Sequence, residues 1–234
     1  MSPRIFAIYL DELILRLRKH GVGCHMLLLF LACILYAICL IAPTRGAMQE
    51  MLLICQLYYD EFCLHFNAKN SKVLLFGHFK CADIAPLFLN GLPIEYVSEW
   101  SYLGTTIVSG KSLSFSASND RRSFFRSANS ILSAHRKPNE MVLMKLLYSI
   151  CVPILSYAAE VKVFSYSDMH SCNVALNDSI RRIFSFHRWE SPRELRQQLK
   201  LPNLYEIFAS RKTRFEKQCR ESSNRIVAFL SNRP

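Results

Sequence analysis

The chain has 234 residues, of which 51% are hydrophobic and 20% are charged. This composition excludes wholesale disorder and supplies enough apolar side chains for the core of one or two domains. The net charge is +11, and the whole excess lies in residues 111–234, which hold 21 Lys and Arg against 10 Asp and Glu. A basic half beside a neutral half favours a polyanionic partner, with nucleic acid ahead of an acidic membrane.

The cysteines indicate an intracellular protein, in the cytoplasm or the nucleus. There are nine of them, an odd number, and no Cys-x-x-Cys pair occurs. Most lie within apolar runs, which predicts buried, reduced thiols rather than a disulfide framework. The sequence also lacks a glycine-rich phosphate loop and the Ser/His/Asp arrangement of a hydrolase.

Two helices are predicted near the N-terminus. Residues 4–19 place apolar side chains on one face, carry basic residues in the last turn and precede Gly21, a typical helix stop. Thr44 can cap a second helix over 45–66. The predicted inward face of this second helix consists of Met48, Met51, Leu52, Cys55, Tyr59 and Phe62.

The segment 26–42 is an uninterrupted apolar run with two interpretations. As a helix it would span about 25 Å, slightly less than the hydrocarbon core of a bilayer, and would anchor the chain in a membrane. As a buried β-hairpin it would need a turn near Tyr36–Ile38, where the sequence has no Gly, Asn or Asp. Leucine richness favours the helix, but periodicity alone does not choose between the two.

Beyond the second helix, residues 72–77 predict a strand, and a small sheet or meander follows. The apolar runs of the meander are 86–89, 93–97 and 102–108, separated by Asn90-Gly91 and Gly104. The serine-rich stretch 109–119 is the predicted domain boundary. It divides the chain into regions 1–110 and 111–234.

Helices are predicted throughout the second region. Because a small sheet is predicted in the first region, the predicted fold class is α+β. Segment 139–160 is either a helix pair or one helix kinked at Pro153. Ser191-Pro192-Arg193-Glu194 predicts a capping box at a helix start. The other predicted helices are 120–135, 167–185, 203–218 and 222–231.

Four segments together carry a resemblance to a known family, namely Ser2–Leu13, Cys33–Thr44, Phe66–Lys72 and Trp100–Gly104. In this order they resemble a palm helix, the catalytic hairpin, an asparagine with a Lys-Ser-Lys element, and the primer grip. These elements belong to the C-terminal part of non-LTR retrotransposon reverse transcriptases. The chain therefore resembles these RNA-directed DNA polymerases over essentially its whole length. The resemblance implies a partial palm at 1–110 and a thumb-like region at 111–234.

The resemblance also shows what this sequence lacks. The family binds two Mg²⁺ ions with carboxylates from two places, and the first of these, like the fingers, would lie upstream of Met1. The second Asp-Asp pair should follow Tyr36-Ala37, where Ile38 and Cys39 offer no oxygen ligand. A deletion of two residues would explain this and would preserve the faces of the flanking strands. We therefore expect no metal, no cofactor and no enzymatic activity.

The candidate contacts to nucleic acid come from both regions. By resemblance, Lys69 and Lys72 would lie near an incoming triphosphate, and Tyr102-Leu103-Gly104 would form the primer grip. In the helical region the candidates for phosphate contact are Arg121, Arg122, Arg126, Arg181 and Arg182. The alternative is that these residues do not contact nucleic acid. The lysines would then be ordinary exposed side chains, Tyr102 a core aromatic residue, and the arginines partners of carboxylates.

These observations predict an inactive, degenerate fragment of a reverse transcriptase that retains weak, nonspecific binding to RNA or DNA backbones. The alternative is a small membrane-anchored protein with a transmembrane helix at 26–42. A third interpretation is a translated relic without a selected function.

Overall fold

The computed structural model describes residues 3–26, 29–31, 33–35, 37–64, 66–78, 84–133, 138–224 and 227. Over these residues the chain combines α-helices with small β-sheets, which confirms the predicted mixed class. The chain divides into two compact units, Met1–Leu113 and Ser114–Pro234.

The first unit contains, in its described residues, two α-helices, a short 3-10 helix and nine short strands. The helices are α1 (Pro3–His20), α2 (Arg45–Asp60) and the 3-10 helix Ala68–Asn70. The strands are β1 (Cys24–Met26), β2 (Leu29–Leu31), β3 (Cys33–Leu35), β4 (Ala37–Cys39), β5 (Lys72–Val73), β6 (Leu87–Leu89), β7 (Leu92–Tyr96), β8 (Glu99–Tyr102) and β9 (Thr105–Val108).

Helices α1 and α2 pack together because each carries an apolar face at helical spacing. Their shared core consists of Leu10, Leu13, Leu17, Met51, Ile54, Cys55 and Tyr58. Outside this core, Arg16 donates hydrogen bonds to Glu12 on its own helix and to Glu61 just after α2. As predicted, α1 is followed by Gly21, whose φ of +70° suits glycine.

Most described residues of segment 26–42 lie in strands and none lies in a helix, so the helix that leucine richness favours is wrong for them. Strand β1 pairs with β2, and β3 pairs with β4 with Ile34 opposite Ile38, both in antiparallel register. Ile38 and Leu40 pack against the α1–α2 core, which explains part of the apolar run. Residues 27, 28, 32 and Tyr36, where a turn is predicted, lie outside the described residues. In the described part of the chain, no helix has the length and apolarity needed to cross a bilayer.

Helix α2 begins where predicted, because the Thr44 hydroxyl accepts a hydrogen bond from the Ala47 amide. It ends at Asp60 rather than at residue 66. Cys63 has a φ of +54°, and the amide of Leu64 donates to the carbonyl of Tyr59 in a Schellman motif. A cysteine occupies the position where glycine is usual, so the sequence carries no stop signal. Phe62, predicted to face inward, is exposed as a result.

The sheet after α2 has the strand order β5-β7-β6. Strand β6 pairs antiparallel with β7 through Asn90 and Gly91, whose positive φ values are those of a tight hairpin turn. Strands β8 and β9 form a second hairpin with Gly104 in its turn, as a separator should be. The turn divides the predicted run 102–108, and Glu99–Tyr102 is a strand that was not predicted. The predicted strand over 72–77 is too long, because only Lys72–Val73 pair with β7 and Phe76 makes a single bridge to Gly110.

The second unit is mainly helical. Its described elements are β10 (Ser114–Ser116), α3 (Ser118–Leu132), α4 (Glu140–Leu146), α5 (Val152–Leu155), α6 (Tyr166–Phe184), α7 (Arg193–Gln198) and α8 (Leu204–Arg220). The core is a single cluster contributed by all the longer helices. Its fully buried side chains include Phe124, Cys151, Leu155, Leu176, Ile180 and Leu204.

Two predictions for this unit need correction. The region is not all helical, since β10 lies in the stretch predicted as a loop. Segment 139–160 is one helical run that ends at Leu155, with a π turn at Leu147–Cys151 just before Pro153. Such a turn accommodates a residue that lacks an amide proton. The predicted helix 222–231 lies largely outside the described residues.

The predicted capping box at Ser191 does not form. The Ser191 hydroxyl accepts from the amide of Arg193, only two residues on, and Pro192 occupies the N-cap of the six-residue helix α7. A complete capping box occurs instead at α8. There the Asn203 side chain accepts from the Glu206 amide, and the Glu206 carboxylate accepts from the Asn203 amide.

Helix α7 ends in another Schellman motif without glycine. Lys200 has a φ of +53°, and the amide of Leu201 donates to the carbonyl of Arg196 at 2.9 Å. We predict that Lys200→Gly raises the free energy of unfolding by about 1 kcal/mol, because glycine adopts this conformation without strain. Urea denaturation measures the change. Lys212→Gly, in the exposed interior of α8, should instead lower stability by about 1 kcal/mol; a loss in both variants would contradict the prediction.

Seven cysteines are free thiols that differ in burial. They are Cys24, Cys39, Cys55, Cys63, Cys151, Cys172 and Cys219. Burial raises the pKa of Cys55 to about 12 and that of Cys172 to about 11, and it also raises the pKa of Cys151. Cys63 is exposed.

We therefore predict that a thiol reagent at about pH 8 labels Cys63 in the folded chain and spares the three buried cysteines, because the thiolate is the reactive form. Peptide mass spectrometry after a short pulse identifies the labelled residues, and the same pulse in denaturant serves as the control. Rapid native labelling of Cys55, Cys151 or Cys172 would show that the core opens readily.

Candidate nucleic-acid interface

The lysines predicted in the first unit have different surroundings. Lys69 is exposed on the 3-10 helix, whose start is capped by the Asn67 side chain. Lys72 is engaged by its neighbours. Its Nζ lies 2.5 Å from a carboxylate oxygen of Glu95 and 5.7 Å from the centre of the Trp100 ring, and its side chain is 16% exposed. The charge of Lys72 is thus largely satisfied within the protein.

The predicted primer-grip residues form the turn between β8 and β9. Leu103 and Gly104 have φ values of +49° and +75°, as a two-residue hairpin turn requires. The hydroxyl of Thr105 donates to the carbonyl of Tyr102 at 2.8 Å and closes the turn. Leu103 is 45% exposed at its tip. The local sequence therefore has a sufficient structural explanation as a hairpin.

In the second unit, a buried ion pair fixes helix α3. The Nζ of Lys162 lies 2.6 Å from a carboxylate oxygen of Asp120, in the first turn of α3, and the Lys162 side chain is fully buried. The rings of Tyr157 and Phe164 lie 5.6 and 5.5 Å from the same ammonium group. Burial raises the pKa of Asp120, although Lys162 acts in the opposite direction. The pair holds the start of α3 against the segment that follows α5.

Three of the five predicted arginines lie together on the surface of α3 and α6. Arg122, Arg126 and Asn129 are all exposed and, at spacings of four and three, form one stripe along α3. Arg182 of α6 donates to the side-chain oxygen of Asn129 at 2.6 Å, which brings its guanidinium to the end of this stripe. We call Arg122, Arg126 and Arg182 the arginine patch.

The arginine patch carries uncompensated charge. The side chains of Arg122 and Arg126 have no hydrogen bond or ion pair among the described residues. The partner of Arg182 is a neutral amide. Guanidinium groups without a carboxylate partner are available to phosphate oxygens, which they match in geometry and charge.

The other two arginines have internal roles. Arg181 donates to the carboxylate of Asp178 at 2.7 Å and to the carbonyl of Glu190 at 2.8 Å, so it ties α6 to the loop that follows. Arg121 is partly buried, and its Nε is buried without a partner in the described part of the chain. Which arginines are free depends on their tertiary neighbours, which the sequence does not show.

The loop anchored by Arg181 contains an exposed aromatic residue that the sequence reasoning missed. Trp189 is 81% exposed. Its ring stacks on the ring of His187, with centres 4.6 Å apart and planes 2° from parallel. Arg188, which lies between these two residues in the sequence, is also exposed. The signal in the sequence is His-Arg-Trp, an aromatic residue beside basic ones.

The C-terminal half of α8 is a second basic surface that the sequence reasoning did not single out. Residues 212–218 are exposed on all sides of the helix, and only Leu204 and Phe208 of α8 are buried. The basic residues of this half are Arg211, Lys212, Arg214, Lys217 and Arg220. Arg211 and Lys217 have carboxylate partners in Glu160 and Glu221. Positive charge in these turns also complements the negative end of the helix.

No cluster of three or more His, Cys, Asp or Glu side chains that could hold a metal ion is found among the described residues. At the predicted position of the catalytic aspartates, Ile38 and Cys39 belong to strand β4. Comparison with protein-family models, with curated proteins and with solved structures gave no significant match. The resemblance to reverse transcriptases therefore stays a prediction.

Proposed function

We propose that this chain is a noncatalytic nucleic-acid-binding protein, a degenerate relative of non-LTR reverse transcriptases that binds RNA or DNA backbones without sequence specificity. The binding surface is the arginine patch of the second unit. The observation that carries the proposal is the hydrogen bond from Arg182 to Asn129, which gathers three guanidinium groups on one surface.

The charge distribution supports this proposal over a merely solvated surface. Ion pairs to carboxylates neutralise Lys162, Arg181 and Arg211. The patch arginines, in contrast, have no such partner among the described residues. Phosphate contacts of this kind fix a protein on the backbone but read no bases.

The proposed ancestry rests on the four sequence segments in their shared order. The proposal that the chain is inactive rests on Ile38 and Cys39, which stand where the family has carboxylates and cannot replace them as Mg²⁺ ligands. A primer-extension assay with Mg²⁺ or Mn²⁺ tests this part. Metal-dependent incorporation of nucleotides would overturn it.

Fluorescence anisotropy of labelled oligonucleotides tests binding by the full chain. Single-stranded RNA, single-stranded DNA and duplex DNA of unrelated sequences should all bind, with little dependence on sequence. For three phosphate contacts, log Kd should change with log salt by a slope of about 2 for single strands and about 3 for a duplex. Absence of binding at about 50 mM salt, or binding without salt dependence, would contradict the proposal.

A further inference from the structure

The loop after α6 presents an aromatic surface with an ordered backbone. The amide of His187 donates to the side-chain carboxylate of Glu190 at 2.8 Å, and the amide of Glu190 donates to the carbonyl of His187 at 3.0 Å. Arg181 holds the carbonyl of Glu190 from the last turn of α6. These bonds fix both ends of the turn that carries Trp189.

The stacking partner covers only one face of the indole. Since His187 occupies that face and Trp189 is nevertheless 81% exposed, the opposite face is open to solvent. A tryptophan this exposed makes almost no contribution to the core, so folding does not explain its position. A further flat ring placed on the open face would extend the stack to three rings.

The surrounding charge identifies the kind of ring that fits. Arg188, which lies between the two stacked residues in the sequence, is exposed. Arg182 of the arginine patch lies in the last turn of α6, just before this loop. The carboxylate of Glu190 is already bonded to the His187 amide. A planar group attached to a phosphate, that is, an unpaired nucleotide base, satisfies both the ring and the cations.

We propose that the His187–Trp189 stack is a platform for an unpaired base, so that the chain binds single strands in preference to duplexes. This inference rests on the proposed function, because the phosphates of the same strand would contact the arginine patch. Bases in a duplex are already stacked and cannot reach the open face of Trp189.

The chain offers a matched control. Tyr166 is 82% exposed and stacks on His170, with ring centres 6.2 Å apart and planes 14° from parallel. Its exposure matches that of Trp189 and its rings are also nearly parallel, although the ring centres lie farther apart. However, Tyr166 begins helix α6 with the acidic Asp168 two residues on, whereas Trp189 follows the exposed Arg188 and precedes Glu190, whose carboxylate is bonded to the His187 amide.

The test compares oligo(dT) with a DNA duplex of equal length, using the full chain and the variants Trp189→Ala, Trp189→Phe and Tyr166→Ala. We expect Trp189→Ala to weaken oligo(dT) binding by roughly 5- to 100-fold and to leave duplex binding nearly unchanged. Trp189→Phe should restore most of the loss. Tyr166→Ala should change neither affinity.

Fluorescence gives a second readout. Trp100 and Trp189 are the two tryptophans of the chain, so the emission of Trp100→Phe reports Trp189 alone. Oligo(dT) should quench this emission more strongly than the duplex at equal occupancy. Sedimentation of Trp189→Ala without nucleic acid shows whether the tryptophan instead joins two copies of the chain.

The outcomes separate the two claims. If both nucleic acids bind with salt dependence but Trp189→Ala affects neither or both equally, the platform is wrong and the proposed function stands. If neither nucleic acid binds at low salt, both claims fail. Loss of self-association in Trp189→Ala, with oligo(dT) affinity unchanged, would make the stack a protein interface and would also overturn the platform.

Discussion

Replacing Asp120 with leucine is expected to cost the second unit about 3–5 kcal/mol of stability. The substitution leaves the ammonium group of Lys162 fully buried without its carboxylate, and an uncompensated buried charge carries this penalty. Asp120→Asn should cost less, because its amide oxygen still accepts a hydrogen bond from Lys162, although the ammonium charge again lacks a counter-charge. Urea unfolding of the full chain, followed by a probe of the second unit, measures both variants.

The double variant Asp120→Leu/Lys162→Met is expected to recover most of the lost stability. Since burial raises the pKa of Asp120 despite the nearby ammonium, the cost of burying this carboxylate exceeds its attraction to Lys162. Methionine can fill the space between Tyr157 and Phe164 with apolar atoms. A double variant as unstable as Asp120→Leu would contradict this explanation and would show that the ion pair is strongly favourable.

The Asp120–Lys162 pair also predicts how the stability of the fold depends on pH. A carboxyl whose folded-state pKa is raised stabilises the fold fully below its ordinary pKa of 3.8. That stabilisation is lost as the pH rises through the folded-state value. The stability of the wild-type chain relative to the double variant should therefore fall from about pH 3 towards neutral pH. A relative stability that rises over this range would mean that the pKa of Asp120 is lowered.

The second large effect is expected at the arginine patch. The triple variant Arg122→Gln/Arg126→Gln/Arg182→Gln should weaken oligonucleotide binding by roughly 10- to 1,000-fold at about 50 mM salt, because each lost guanidinium removes a phosphate contact. The salt slope should fall by about 0.7 for each arginine on a single strand and by about 0.9 on a duplex. All three arginines are exposed, so the fold should be retained.

The matched control removes the same charge elsewhere. Lys111, Lys145 and Lys200 are exposed and lie outside the patch. The variant Lys111→Gln/Lys145→Gln/Lys200→Gln should reduce affinity only slightly, through the weaker overall field. Equal losses in the two triple variants would show that net charge, and not the patch, determines binding.

Local signals in the sequence predicted several elements correctly. Gly21 ends α1, Thr44 caps α2, and Asn90-Gly91 and Gly104 form hairpin turns, because each depends on a few neighbouring residues. The helix ends at Cys63 and Lys200 could not be predicted in the same way. Each adopts a positive φ that ordinarily requires glycine, and only the hydrogen bonds at the end of the helix reveal it.

The candidate site was only partly predictable, for a similar reason. The sequence identified the arginines of α3 and α6 from their spacing but could not tell Arg182, which meets Asn129, from Arg181, which is paired with Asp178. That distinction depends on contacts across the fold. Trp189 was missed because exposure is a tertiary property, and a tryptophan in a short loop is usually buried in part.

Crosslinking tests the central claim, that the second unit contacts nucleic acid through α3, α6 and the loop after α6, most directly. The full chain is irradiated with a single-stranded RNA containing 4-thiouridine, and the crosslinked peptides are identified by mass spectrometry. Crosslinks should concentrate in residues 122–129 and 182–189 and disappear as the salt concentration rises. Crosslinks confined to the first unit, or none at low salt, would contradict the claim.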